Sequence, residues 1–204
     1  MGSGSEPWLR ARRATRPDRG LEAITLRGTS LSPFSALLHG PTAIGEETML
    51  AIYIPSFKDL HIDHLVLDFN GTLARDGRLL DGVKERVLAL ANDLTVHVLT
   101  ADTFGNVARE LGDLPCTVTV IPKEDEAGAK LACINALGCT GVVSIGNGQN
   151  DALMLENAAL GICVIQEEGC SKAALLAADV VTTSVMDALD LIIHPLRLVA
   201  TLRS

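Results

Sequence analysis

From residue 49 onward, short apolar runs alternate with stretches of helical period. Residues 50–54 and 60–64 alternate apolar and polar positions on either side of Pro55-Ser56, a pattern that predicts a small β-hairpin. Leu65-Val66-Leu67-Asp68-Phe69 then predicts a short buried strand that ends in a glycine-containing loop. Further strands are predicted at 95–100, 117–121, 142–145, 162–165 and 179–182. Helices are predicted between them at 83–91, 104–111, 124–137, 151–158 and 171–177, and a last one at 185–193. Gly138 stands where the helix over 124–137 needs a residue that tolerates a left-handed turn. Repeated β–α order with short joints predicts an α/β fold built on a doubly wound, Rossmann-like parallel sheet, with the small N-terminal β-hairpin outside it.

Residues 1–48 break this texture. They hold six arginines against five acids, no lysine and ten glycines or prolines, and no apolar period runs through them. They are expected to be disordered and dispensable. Glu6 and Asp18 argue against an Arg-rich targeting peptide, and Met49 is a candidate start of translation. The expected domain is therefore 49–204.

Composition narrows the function. Of the 204 residues 48% are apolar and only 3% aromatic, so the core is expected to be Ala, Leu, Val and Ile. A net charge of −8 argues against a phosphate-backbone footprint, and hence against nucleic acid as partner. No apolar run approaches the roughly 18 residues of a membrane span. The five cysteines, Cys116, Cys133, Cys139, Cys163 and Cys170, are odd in number and never spaced Cys-x-x-Cys, which reads as reduced thiols of a cytoplasmic protein.

In a doubly wound sheet, ligands bind beyond the carboxyl ends of the strands. There the sequence places Asp68-Phe69-Asn70-Gly71-Thr72, then Leu99-Thr100-Ala101-Asp102, then Gly146-Asn147-Gly148-Gln149-Asn150-Asp151, with Lys130 on the helix before the last loop. A carboxylate nucleophile, a hydroxyl, an ammonium and a carboxylate-bearing glycine loop suit phosphoryl transfer: attack, oxyanion binding, charge neutralisation and Mg2+ ligation.

These four segments resemble, in order, the four motifs of the haloacid-dehalogenase-like superfamily. The likeness is greatest to the phosphorylation domain of P-type ATPases, and it spans about 140 residues, from Leu65 to the C-terminus. Around Lys130 it extends to Ile134 and Leu137. The resemblance implies an Mg2+-dependent phosphohydrolase or phosphotransferase in which Asp68 becomes an aspartyl phosphate. Thr100 would bond the transferring phosphoryl group and Lys130 would neutralise its charge. Asp68, the main-chain carbonyl of Asn70, Asn147 and Asp151 would hold the metal, Asp151 directly or through water. Gly71 and Gly148 would let main-chain amides approach the phosphate, with Thr72 and Asn150 completing that binding set. The segments 72–100 and 100–130 leave no room for the cap that covers the site in many superfamily phosphatases. The site is therefore expected to be open, taking a phosphorylated small molecule or a phosphoprotein, with a homo-oligomer as one way to cover it.

Two positions depart from the family pattern. Asn70 stands where superfamily phosphatases carry a second Asp that protonates the leaving oxygen, and Asn147 stands where the loop carries a metal-binding Asp. Attenuated activity biased to good leaving groups is expected, and the rival reading is a non-catalytic regulator that binds phosphate or a partner. Both asparagines precede glycine, the context in which deamidation to Asp is easiest. Lys123 is the alternative to Lys130. A dinucleotide loop at Gly146-x-Gly148 is disfavoured because Asp151 holds the third glycine position. His61 and His64 are read as structural, their odd spacing placing them on opposite faces of a strand. The acids at 124–126 are read as a helix first turn complementing the dipole.

Overall fold

The computed structural model describes residues 22–25, 49–101 and 106–204. Chain order begins with the strands β1 (Glu22–Thr25), β2 (Leu50–Tyr53), β3 (Asp59–Ile62), β4 (His64–Asp68), β5 (Ala74–Arg75) and β6 (Arg78–Leu79). It continues through α1 (Val83–Leu90), β7 (Thr95–Thr100), α2 (Asn106–Leu111), β8 (Cys116–Val120), α3 (Glu126–Leu137) and β9 (Val142–Gly146). It ends with α4 (Ala152–Asn157), β10 (Leu160–Val164), α5 (Lys172–Ala177), β11 (Val180–Thr182), α6 (Val185–Ile193) and α7 (Pro195–Leu202).

The main sheet has the order β1-β8-β7-β4-β9-β10-β11. The six strands from β8 to β11 are mutually parallel. From β4 the chain winds outward through β7 and β8, then crosses back to lay β9 on the other flank of β4. The winding thus reverses between β4 and β9, and a crevice opens beyond their carboxyl ends. This is the doubly wound Rossmann-like sheet read from the sequence. The antiparallel pair β2 and β3 is the expected hairpin.

Side-chain alternation along β4 decides which layer each residue serves. Leu65 and Leu67 join the larger apolar cluster with Val83, Val87, Leu189 and Ile192 of α1 and α6. Val66 faces the other way, into a cluster with Leu99, Ile134 and Met154. Asp68 continues the Val66 face, toward α3. On α3, Lys130, Ile134 and Leu137 recur at helical spacing along one face, so the helix that buries Ile134 also carries Lys130 to the strand end. Asp125 caps α3 by accepting from the Gly128 amide at 3.0 Å, and Gly138 (φ 85°) ends it as expected.

Four features were not read from the sequence. Glu22–Thr25, inside the segment expected to be disordered, pairs antiparallel with β8 from Glu22 opposite Val120 to Thr25 opposite Thr117. The strand is too short for a period to register, and it forms because β8 offers a free edge. The rest of 1–48 lies outside the described residues. The loop after β4 folds into the β5–β6 hairpin, whose Asp76 and Gly77 take φ of 51° and 73°. Positive φ at both central residues is the hairpin turn that an Asp-Gly pair favours. After α6 the chain adds α7, opened by Pro195 and seated through Leu198. The acids at 124–126 do more than complement a dipole: Asp125 is the cap, and Glu126 accepts from Asn150 Nδ2. Among the described residues, no helix is long and apolar enough to cross a membrane, and no cap domain interrupts the sheet.

Candidate active site

Asp68 ends β4, the Gly146–Asp151 loop follows β9, and α3 lies across both. Lys130 is 1% exposed, Asp68 6% and Asp151 0%. Lys130 Nζ donates to Asp68 Oδ1 and to Asp151 Oδ1, each at 2.6 Å. The apolar floor supplied by Ile134 and Val66 thus carries two carboxylates bridged by one ammonium. With all three ionised, the cluster holds one negative charge in excess. Burial, and then the neighbouring Asp151 charge, push the Asp68 carboxyl up to about 7, while the charge and bond of Lys130 pull the other way. Burial works against the Lys130 ammonium, but Asp68 and Asp151 outweigh it and hold the group above its ordinary value.

Asp151 organises its loop. Its second oxygen, Oδ2, accepts from the Asn147 amide at 2.9 Å and the Gly148 amide at 2.7 Å. This packing demands glycine at 146, where a Cβ would lie 2.5 Å from the Asp151 Cγ. Asn147 in turn joins two loops: its Oδ1 accepts from the Thr72 hydroxyl at 3.2 Å, and its Nδ2 donates to the Gly169 carbonyl at 3.0 Å. It presses so closely on the loop after Asp68 that a Cβ at Gly71 would stand 2.6 Å from Nδ2, and Gly71 adopts φ 79°.

The cleft above this cluster measures about 650 Å³ and is lined by Asp68, Asn70, Thr100, Asn147 and Asn150, with Lys123 and Glu126 on its rim. The structure therefore brings Asp68, Asn70, Thr100, Lys130, Asn147 and Asp151 together, and makes Lys130 rather than Lys123 the bridging ammonium. Asp102 lies outside the described residues. Four of the expected residues have partners within the protein. Thr72 is buried, and its hydroxyl donates to Asn147 Oδ1. The amides of Gly71 and Gly148 donate to the Ala74 carbonyl and to Asp151 Oδ2. Asp151 has both oxygens engaged, Oδ1 by Lys130 and Oδ2 by the Asn147 and Gly148 amides.

Among the described residues, no three His, Cys, Asp or Glu side chains cluster as a metal site. Asp68, Asn70 and Asn147 nevertheless line one cleft with oxygen-bearing groups beside a buried excess negative charge. Such a set fits a hard cation that keeps much of its own water, with one carboxylate where the family pattern supplies two.

Sequence reasoning missed Gln166. Its Nε2 donates to the Gly71 and Thr72 carbonyls at 3.1 and 2.9 Å, and its Oε1 accepts from the Val185 amide at 2.6 Å. It ties the loop after Asp68 to α6 from a distant stretch of chain, with no local motif to betray it. His64 finds its partner in His97, with Nδ1 and Nε2 3.2 Å apart, while His61 is exposed.

No protein-family model matches the chain. It is 50% identical over 62 residues to the uncharacterized protein MJ0073 of Methanocaldococcus jannaschii, which is 30% of this chain and 67% of that protein. It is 46% identical over 39 residues to the uncharacterized protein MJ0072 of the same organism, 19% of this chain and 89% of that protein. Among solved structures it is similar to the 3-deoxy-D-manno-octulosonate 8-phosphate phosphatase of Moraxella catarrhalis, in complex with magnesium, phosphate and KDO. That match has a TM-score of 0.53 at 19% identity, over 70% of this chain and 94% of the other. The cobalt-bound Haemophilus influenzae phosphatase YrbI matches with a TM-score of 0.55 at 16% identity, over 65% and 88%. The Yersinia pestis phosphatase matches with 0.51 at 14% identity, over 74% and 96%. At these identities the likeness shows the fold that the chain shares with these phosphatases.

Proposed function

Starting from a chain that belongs to the same family as MJ0073 and MJ0072 and carries the haloacid-dehalogenase-like fold, we propose that it is a phosphohydrolase or phosphotransferase acting through an aspartyl phosphate on Asp68. The observation that carries this reading is the buried triad: Lys130 bonded at 2.6 Å to both Asp68 and Asp151 at the switch point of the sheet.

In this reading the Asp68 oxygen facing the cleft attacks phosphorus, in line with the leaving group. Lys130 holds the other Asp68 oxygen and fixes the carboxylate for attack. It also answers the charge that spreads over the phosphoryl oxygens. Thr100, from the neighbouring strand end, bonds one of those oxygens. Mg2+, held by Asp68, the Asn70 carbonyl and Asn147, would supply further charge neutralisation when bound. Asn70 cannot deliver a proton, so the leaving group departs with its own charge and water attacks phospho-Asp68 without a base. Acyl, aryl and anhydride phosphates are therefore the favoured class of substrate, whether small molecules or phosphoproteins reaching the open cleft. The slow phosphoenzyme parallels the P-type ATPase likeness of the motifs.

The experiment is steady-state turnover of a chromogenic aryl phosphate, with and without Mg2+, by the wild type and Asp68→Asn. Metal-dependent turnover that vanishes in the variant supports the reading. The engaged oxygens of Asp151 and the amide at 147 favour one alternative, a phosphate-binding regulator. It would show phosphate binding without turnover in either protein.

A further inference from the structure

Cys163 and Cys170 lie with their sulfurs 2.8 Å apart. Cys163 is fully buried on β10, in register with Gly146 on one side and Val181 on the other, so the sheet fixes its position. Cys170 is half-buried and brought back onto it by a turn at Gly169, where φ is 79° and the amide donates to the Gln166 carbonyl at 2.8 Å. The other three cysteines pack in different clusters of the core, Cys116 in the larger one and Cys133 and Cys139 against the one that holds Val66 and Ile134.

The segment between the two sulfurs is the one that holds the site in shape. Gln166 grips the Gly71 and Thr72 carbonyls. Glu167 pairs with Arg75, and Glu168 accepts from the Asp76 amide at 3.3 Å, both on the β5–β6 hairpin. The Gly169 carbonyl accepts from Asn147 Nδ2, and the Ser171 amide donates to the Asn147 carbonyl at 2.8 Å. A covalent link between Cys163 and Cys170 would tie this segment to β10 and, through it, hold Asn147 and the nucleophile loop.

We propose that Cys163 and Cys170 form a reversible intrachain disulfide site that locks the segment between them against the active-site loops. The reaction is thiol–disulfide exchange with a low-molecular-weight disulfide RSSR. The Cys170 thiolate attacks one sulfur, forming a Cys170–SR bond and expelling RS⁻. Cys163 then gives up its proton and attacks the Cys170 sulfur, expelling the second RS⁻. Overall two protein thiols and RSSR become one protein disulfide and two RSH, the two electrons passing to the small disulfide. Half-exposed Cys170 reacts first because the reagent can reach it. Burial, with the adjoining Cys170 sulfur, pushes the Cys163 thiol up to about 12, so the second step is the slow one and quickens as pH rises.

The test uses the full chain, incubated with oxidised glutathione, then alkylated and mapped by mass spectrometry without reduction. The expected product is a Cys163–Cys170 cross-linked peptide in monomeric protein. Closing this short loop is expected to raise the melting temperature by about 3–8 °C. It is also expected to slow amide exchange at Gly169 and Ser171 by about tenfold. Dithiothreitol reverses both effects, and Cys170→Ser shows neither. A Cys170–glutathione adduct that never resolves into the cross-link would overturn the proposal. So would a cross-link that leaves melting and local exchange unchanged, or an equal gain in Cys170→Ser. None of these readouts requires the protein to be a phosphatase.

Discussion

Strand β4 is five residues long, and each end buries titratable groups under a different rule. At its carboxyl end Asp68 is surrounded by charge: Lys130 bridges it to Asp151, and the trio leaves one negative charge that a cation or a phosphoryl electrophile can use. At its amino end His64 faces His97 across 3.2 Å. Burial, then the neighbouring imidazole, drive His97 down to about 4, so it remains neutral. The same desolvation is answered by pairing at one end and by discharge at the other. At the first end Lys130 stays bonded to both carboxylates; at the second His97 gives up its charge.

The comparison breaks most sharply at Lys130. Lys130→Met leaves Asp68 and Asp151 buried without their ammonium, and is expected to cost about 3–5 kcal/mol of stability along with all turnover. Adding Asp151→Asn should return part of that stability and none of the activity. Urea unfolding at pH 7 of both variants measures it, and an unchanged midpoint in the single variant would mean that the triad is not held as described.

Asn70→Asp adds a proton carrier to the charged end. Hydrolysis of alkyl phosphates should rise by up to about 10²–10⁴, and of aryl phosphates by much less. Rates on substrates graded by leaving-group acidity decide this, and an equal gain on every substrate would show that position 70 is not the missing acid.

At the neutral end the sign is opposite to that of a salt bridge. The folded state holds His97 near 4 against an ordinary value of 6.5. The unfolded chain therefore binds the extra proton first, and stability falls as pH drops from about 6.5 to 4, then levels off. This group accounts for up to about 3 kcal/mol of that fall. His97→Gln should flatten the pH dependence across this window, as read by denaturant midpoints, while leaving turnover untouched.

The smallest effect is expected where a pair is half open to water. Arg86 clasps Asp190 through Nε at 2.7 Å and a second nitrogen at 3.0 Å, joining α1 to α6. The Arg86 bond holds the Asp190 carboxyl below its ordinary value. Arg86→Ala should cost about 1 kcal/mol at pH 7. That cost should fade as pH falls below the ordinary carboxylate range and through the depressed value in the folded protein, which thermal melts at pH 7 and pH 3 would record.

Much of the charged end was legible in the sequence because its parts are local: a strand ending in Asp68, a helix whose Ile134 and Leu137 stripe orients Lys130, and a glycine loop around Asp151. The fold was legible for the same reason, since alternation along β4 and the helical stripes each report one face of one element. What escaped depends on chain segments distant in sequence. Gln166 reaches Gly71 and Thr72 across some 95 residues. The Thr72 hydroxyl finds its partner only because Asn147 comes to it across 75 residues. The Asp76-Gly77 turn was readable, but two-residue strands leave no apolar period on either side of it. Glu22–Thr25 pairs through its backbone, which sequence pattern does not report.

A covalent phosphoryl group on Asp68 is detected most directly by rapid acid quenching during turnover of a radiolabelled acyl or aryl phosphate, followed by peptide mapping. An acid-stable, hydroxylamine-sensitive label is expected on the peptide containing Asp68, accumulating because Asn70 cannot activate water, with no label in Asp68→Asn. Turnover with the label nowhere on the protein, or with undiminished labelling in Asp68→Asn, would contradict it.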